Sequence, residues 1–320
     1  MDRRQFVRTT AAVAAAAGLQ RLNHLVPSRS RAAIPNLGVG LFSVPKLLDS
    51  DFSGTIGMLA RMGYREVELF GPYDFSAPEA IASWKPIGAQ LGFSGSGFFG
   101  LSAAQIRGIL DQHRMTAPSM HTDLLTLETR MDQLADAAHA VGSRDVVLPA
   151  IPDTERRTLD QYRRMADRFN VIGDKAQRAG IRFAYHNHGY GLVPMEGTVP
   201  LTMLLERTDP ALVFCQMDLY WTVAGGMDPV ALLKAHPGRY VSMHVKDMKE
   251  AKRFRGDGGD SSQWMELFPY MVSAGDGVMD LRAITTQARA SGVRHLFVEQ
   301  DLVANPDVAL KRSYDFLASL

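Results

Sequence analysis

Residues 159–188 read LDQYRRMADRFNVIGDKAQRAGIRFAYHNH, and the change of period inside this stretch decides the fold. Tyr162, Met165, Phe169, Ile172 and Ala176 recur at helical spacing, and Gly180 follows as a helix stop. Beyond it the pattern switches to an apolar, β-rich run that ends in His186 and His188. The same punctuation recurs along the chain, with RMG closing at Gly63 and ASG at Gly292, each ahead of a further apolar run. Helix-period segments that alternate with strands predict a parallel βα protein.

Working outward, eight candidate strands emerge: residues 37–44, 66–70, 117–123, 145–151, 182–188, 212–220, 239–247 and 294–301. Eight βα units predict a single (β/α)8 TIM barrel. An open doubly wound sheet would place a glycine-rich phosphate loop after its first strand, and GVGLFSV (38–44) lacks that spacing. No compositional break separates a second domain. Residues 248–277 resist assignment and are expected to form a functional loop between the seventh strand and its helix.

Composition narrows the class of partner. The 320 residues are 46% hydrophobic and 22% charged, with a formal net charge of +1, so bulk electrostatics favours neither nucleic acid nor an anionic membrane. A small molecule is the expected ligand. Residues 1–34 begin with Arg3 and Arg4, then Phe6 and an alanine-rich run, which resembles a twin-arginine export signal. That reading predicts a periplasmic or secreted protein of residues 35–320, delivered by the twin-arginine export machinery. The apolar run is too short to serve as a stable membrane anchor. The single cysteine, Cys215, excludes an intrachain disulfide. Helix-face patterns leave a homo-oligomer open.

In a TIM barrel the site lies at the C-terminal strand ends, and ionisable residues collect there. His186 and His188 end the fifth strand, Asp218 ends the sixth, His244 and Lys246 the seventh, and Glu299 and Asp301 the eighth. Side chains two apart share a face, so His186 pairs with His188 and His244 with Lys246. Burying so many ionisable groups calls for compensation, and one bound cation supplies it. Imidazole with carboxylate suits Mn, Zn, Fe or Co.

The motifs YHNHG (185–189), MDLYW (217–221), HVKD (244–247) and VEQD (298–301), with AGDGVMD (274–280), resemble the xylose isomerase-like TIM-barrel superfamily. This group holds sugar and sugar-phosphate isomerases and epimerases, inosose dehydratases and AP endonucleases. The resemblance implies one divalent metal on Asp218, His244 and Glu299. His186, standing where the epimerases carry glutamate, is the expected fourth ligand. It further implies catalytic roles for Glu299, His186, His188 and Lys246, and substrate contacts at Glu68, His121 and Trp221. The implied activity is sugar isomerisation or epimerisation by proton transfer next to a metal-polarised carbonyl. Loss of one of the two family glutamates keeps a dehydratase or lyase acting on keto-cyclitols or 3-keto-glycosides in view, and a non-catalytic periplasmic sugar-binding protein remains the third reading. Balanced charge argues against an AP endonuclease.

Overall fold

A computed structural model describes residues 36–301 and 303–320; the expected export signal lies outside them. Eight parallel strands close into a barrel: β1 Leu37–Gly40, β2 Glu66–Phe70, β3 Thr116–His121, β4 Asp145–Leu148, β5 Arg182–His186, β6 Val213–Asp218, β7 Tyr240–Val245 and β8 His295–Val298. Each pairs with its sequence neighbours, and β8 closes on β1 through Leu37 opposite Leu296 and Val39 opposite Val298. In β5, β6 and β7, Phe183, Tyr185, Met217, Met243 and Val245 pack into the main apolar core. Their even-numbered neighbours Gln216, Ser242 and His244 meet one another's strands across the barrel interior. The period-2 rule therefore puts the chemistry inside and the apolar payload outside.

The 159–188 stretch folds as read. Leu159–Arg178 is one helix, opened by a capping box in which Thr158 and Gln161 satisfy each other's backbone N–H groups. Its buried face is Leu159, Tyr162, Met165, Ala166, Phe169, Ile172, Gly173 and Ala176. A Cβ on Gly173 would stand 2.5 Å from the Leu212 carbonyl oxygen, so glycine lets this helix approach the chain entering β6. Gly180 turns the chain at φ +77°, and β5 begins two residues later.

Several strands stop earlier than the sequence pattern suggests. After Gly40 the chain tightens into a 3₁₀ turn, Leu41–Ser43. β5 ends at His186, leaving His188 on the loop beyond it. β6 stops at Asp218 because the Asp218 side chain accepts from Trp221 N and caps the helix Leu219–Ala224. Residues 248–277 are not a structureless loop. Asp247–Met248 pairs antiparallel with Met271–Val272, and the helix Ser261–Leu267 lies between them. Three aromatic side chains of this segment, Phe254, Trp264 and Phe268, pack around Trp221. Hydrophobic burial under a short ribbon organises a stretch whose own periodicity is too brief to read.

Candidate active site

The floor of the barrel mouth is a closed hydrogen-bond network. Glu68 on β2 accepts from Ser119 Oγ at 2.5 Å and from Gln216 Nε2 at 2.6 Å, both at Oε1. Gln216 Nε2 also donates to Ser242 Oγ at 3.0 Å. On its other side, Gln216 Oε1 lies 2.7 Å from His121 Nε2 and 2.8 Å from His186 Nδ1. His244 is held at both ring nitrogens, Nε2 by Glu68 and Nδ1 by Glu299 Oε2 at 2.9 Å. The rings of His121 and His244 stack at 5.3 Å, and His186 meets His244 edge-on at 4.7 Å.

Above this floor sits a cluster of carboxylates around one ammonium. Lys246 Nζ is 3.1 Å from Asp218 Oδ2, 2.7 Å from Glu299 Oε2 and 3.0 Å from Asp301 Oδ2. Asp218 spends Oδ1 on its helix cap, so only Oδ2 faces the cluster. That oxygen receives no hydrogen bond of good geometry and stands 3.6 Å from His186 Nε2. Asn187, also buried, accepts from Asp218 N and donates to Thr222 Oγ1, which fixes the turn after β6.

The environment sorts these groups by protonation. Burial favours the neutral form of each carboxyl, yet His121 and His244 hold Glu68 well below the ordinary range, and His244 and Lys246 do so for Glu299. Burial also opposes a charge on Asp218, and the Lys246 ammonium outweighs it to keep that pKa low. Burial opposes the imidazolium of His244, but Glu299 and Glu68 lift it to about 10. Burial pushes His186 down to about 4, so its ring is neutral. Asp301 goes the other way, raised to about 6 mainly by burial.

These assignments test whether a divalent cation fits. Glu68, Asp218, Glu299 and Asp301 crowd around the Lys246 ammonium and protonated His244 in a buried site. One ligand atom each from Asp218, His244 and Glu299 lies within 4.8 Å of the others. His186 belongs instead to a second such group, with His121 and His244. The Asp218 oxygen without a hydrogen bond and the mixed nitrogen and oxygen donors fit a divalent transition metal on three protein ligands, with His244 giving up a ring proton to serve as one of them. Lys246 is its built-in competitor for Asp218 and Glu299.

His188 forms the wall rather than the floor. Its Nδ1 donates to the Pro149 carbonyl at 2.6 Å, and its ring stacks 5.0 Å from Trp264. Trp221 is only 2% exposed, with Phe254 stacked 5.7 Å away, so a sugar reaches it only if the 248–277 segment moves. Glu68 and His121 lie in the floor network, each engaged by protein partners. Gln216 and Trp264 went unread in the sequence. Gln216 was findable, since it precedes Asp218 by two and shares its face. Trp264 sits in a segment that carries no strand register. A cavity of about 490 Å³ opens against Asp301, between Met271 and Arg312.

Residues 56–320 match the family described as xylose isomerase-like TIM barrel. The chain is similar to an inosose dehydratase of Geobacillus thermodenitrificans, 32% identical over 162 residues, or 48% of this chain and 53% of that protein. An inosose dehydratase 2 of Bacillus cereus is 29% identical over 201 residues, 60% of this chain and 65% of the relative. The chain thus spans about half to two thirds of the length of these relatives. A solved sugar phosphate isomerase/epimerase from Parabacteroides distasonis superposes with a TM-score of 0.69 at 20% identity, covering 93% of this chain and 97% of that one. The IOLI protein with a bound zinc atom superposes at 0.61 and 12% identity, covering 89% and 95%. At such identities the likeness to solved structures is one of fold.

Proposed function

The chain belongs to the xylose isomerase-like TIM-barrel family, and on that premise we propose that it is a divalent-metal-dependent enzyme catalysing elimination from a keto-cyclitol or keto-sugar. The observation that carries this reading is the division of labour in one pocket. A neutral His186 presents Nε2 to the same Asp218 oxygen that the Lys246 ammonium approaches. A base and a fixed positive charge side by side are what removal of a proton next to a carbonyl requires.

In this mechanism His186 Nε2 takes the proton from the carbon next to the carbonyl. Lys246 stabilises the negative charge that develops on the carbonyl oxygen. Asp301, raised to about 6 by burial, is the carboxyl here that most readily holds a proton, and in its protonated form it gives that proton to the β-hydroxyl, which departs as water. A divalent ion on Asp218, His244 and Glu299 would supply Lewis-acid polarisation of the carbonyl. Gln216, Asn187 and Thr222 hold these groups in place, and His188 with Trp264 forms the aromatic wall against which a ring lies. The names of the curated relatives support the same reaction class.

Isomerisation or epimerisation is the second reading, favoured by the retained Glu299 and by a structural neighbour of that name. Keto-inositol and 3-keto-glucosides, incubated with the protein and Mn²⁺ in D₂O and followed by NMR and mass spectrometry, separate the two. Elimination gives a product lighter by one water from the keto-inositol and lighter by the aglycone alcohol from a 3-keto-glucoside. Deuterium incorporation with inverted stereochemistry and no loss of water or alcohol moves the assignment to epimerase. Binding without exchange or turnover leaves a sugar-binding protein and sinks both.

A further inference from the structure

We infer that Gln216 is a positioning residue that fixes the ring tautomers of His121 and His186, keeping His186 Nε2 an unprotonated acceptor opposite Asp218. No motif points to this glutamine. It is fully buried at the centre of the floor and touches four other strands of the barrel, through Glu68, His121, His186 and Ser242.

The logic is one of donors and acceptors. A glutamine amide has a donating end and an accepting end, and its neighbours decide which is which. The Glu68 carboxylate can only accept, and it lies 2.6 Å from one end of Gln216, so that end is the NH₂. The opposite end is therefore the oxygen, and two imidazole nitrogens converge on it at 2.7 and 2.8 Å. An oxygen cannot donate, so His121 Nε2 and His186 Nδ1 both carry protons. In the neutral ring of His186 this leaves Nε2 with its lone pair exposed.

The consequence is an acceptor that faces an acceptor, with the Lys246 ammonium 3.1 Å from the same Asp218 oxygen. His186 Nε2 and Asp218 Oδ2 are 3.6 Å apart, and that Asp218 oxygen lacks a hydrogen bond of good geometry. Such a pair attracts a donor: a substrate hydroxyl or a cation. Glu68 thus sets the orientation of Gln216, Gln216 sets the two histidines, and His186 is left ready to accept. The use of that lone pair as the base rests on the elimination reading; the tautomer does not.

Long-range ¹H–¹⁵N NMR of the full chain without added metal reads the tautomer directly, with His186→Gln assigning the resonance. The expected wild-type signature is His186 protonated at Nδ1 and bare at Nε2. In Gln216→Met, Nδ1 loses its acceptor, and the signature moves toward the Nε2–H form that can donate to Asp218. In Gln216→Glu, a carboxylate faces two ring N–H groups, and His186 moves toward imidazolium. A wild-type His186 protonated at Nε2, or an unchanged tautomer in Gln216→Met, overturns the inference. The wild-type tautomer as expected, without turnover of any keto-sugar, overturns the elimination reading alone.

Discussion

Lys246 concentrates the chemistry of the site in one side chain. Three carboxylates surround its ammonium, and two of them, Asp218 and Glu299, also belong to the group suited to a metal. Removing that charge relieves competition for the same oxygens. Lys246→Met is expected to bind Mn²⁺ or Zn²⁺ about tenfold more tightly or better, by calorimetry, while losing turnover. Unchanged or weaker metal binding would show that the lysine assists the ion instead. His186 makes a prediction about acid. Its pKa falls from 6.5 to about 4 on burial, so between those values the unfolded chain binds the proton first. Stability from this group is complete above about pH 6.5 and is lost as pH falls toward 4, about 3 kcal/mol in all. Urea denaturation of metal-free protein at about pH 7 and pH 4.5 checks it. The acid-dependent loss should be smaller in His186→Gln, and an equal loss in both refutes the assignment.

The 248–277 segment depends on one carboxylate. Asp247, buried at the start of the short ribbon, accepts from four backbone N–H groups, those of Met248, Gly275, Gly277 and Met279. It therefore fixes the glycine-rich turn of AGDGVMD, next to Lys246 in the chain. Gly277 packs so close that a Cβ would lie 2.2 Å from Asp247 Oδ1. Asp247→Ala leaves those N–H groups without their acceptor and is expected to cost about 3 kcal/mol. Hydrogen exchange should show protection lost first at Gly275, Gly277 and Met279. Gly277→Ala should reproduce that local loss while leaving the barrel strands protected. Protection lost evenly over the barrel would make Asp247 a global rather than a local support.

Across the whole molecule, near-zero net charge hides a strongly charged centre. The barrel interior gathers Glu68, Asp218, Glu299 and Asp301 around His244 and Lys246. Elemental analysis of purified protein is expected to find about one Mn, Zn, Fe or Co per chain. Asp218→Ala, which removes the orphaned oxygen, should lose it. Protein that carries no metal and takes up none when offered would remove the ion from the mechanism. We propose that the folded chain is exported through the signal in residues 1–34. Replacing Arg3 and Arg4 by lysine should then leave the protein in the cytoplasm on cell fractionation; unchanged export sinks the proposal.

The eight-strand barrel and the position of its site could be read from the chain alone. Helix-period runs such as Tyr162 to Ala176, stopped by glycine and followed by apolar strands, are local signals that neighbouring residues carry by themselves. So is the gathering of His186, Asp218, His244 and Glu299 at strand ends, because period 2 and barrel topology need no distances. Tertiary structure decided what those residues do to one another. Gln216 looks like any polar residue in FCQMD until Glu68, 148 positions away, sets the direction of its amide. Lys246 was expected to face the site, but its three carboxylate partners come from two other strands and their extensions. Hydrogen-bond direction and charge balance depend on distances of a few ångströms between residues far apart in the chain, and no local pattern encodes them.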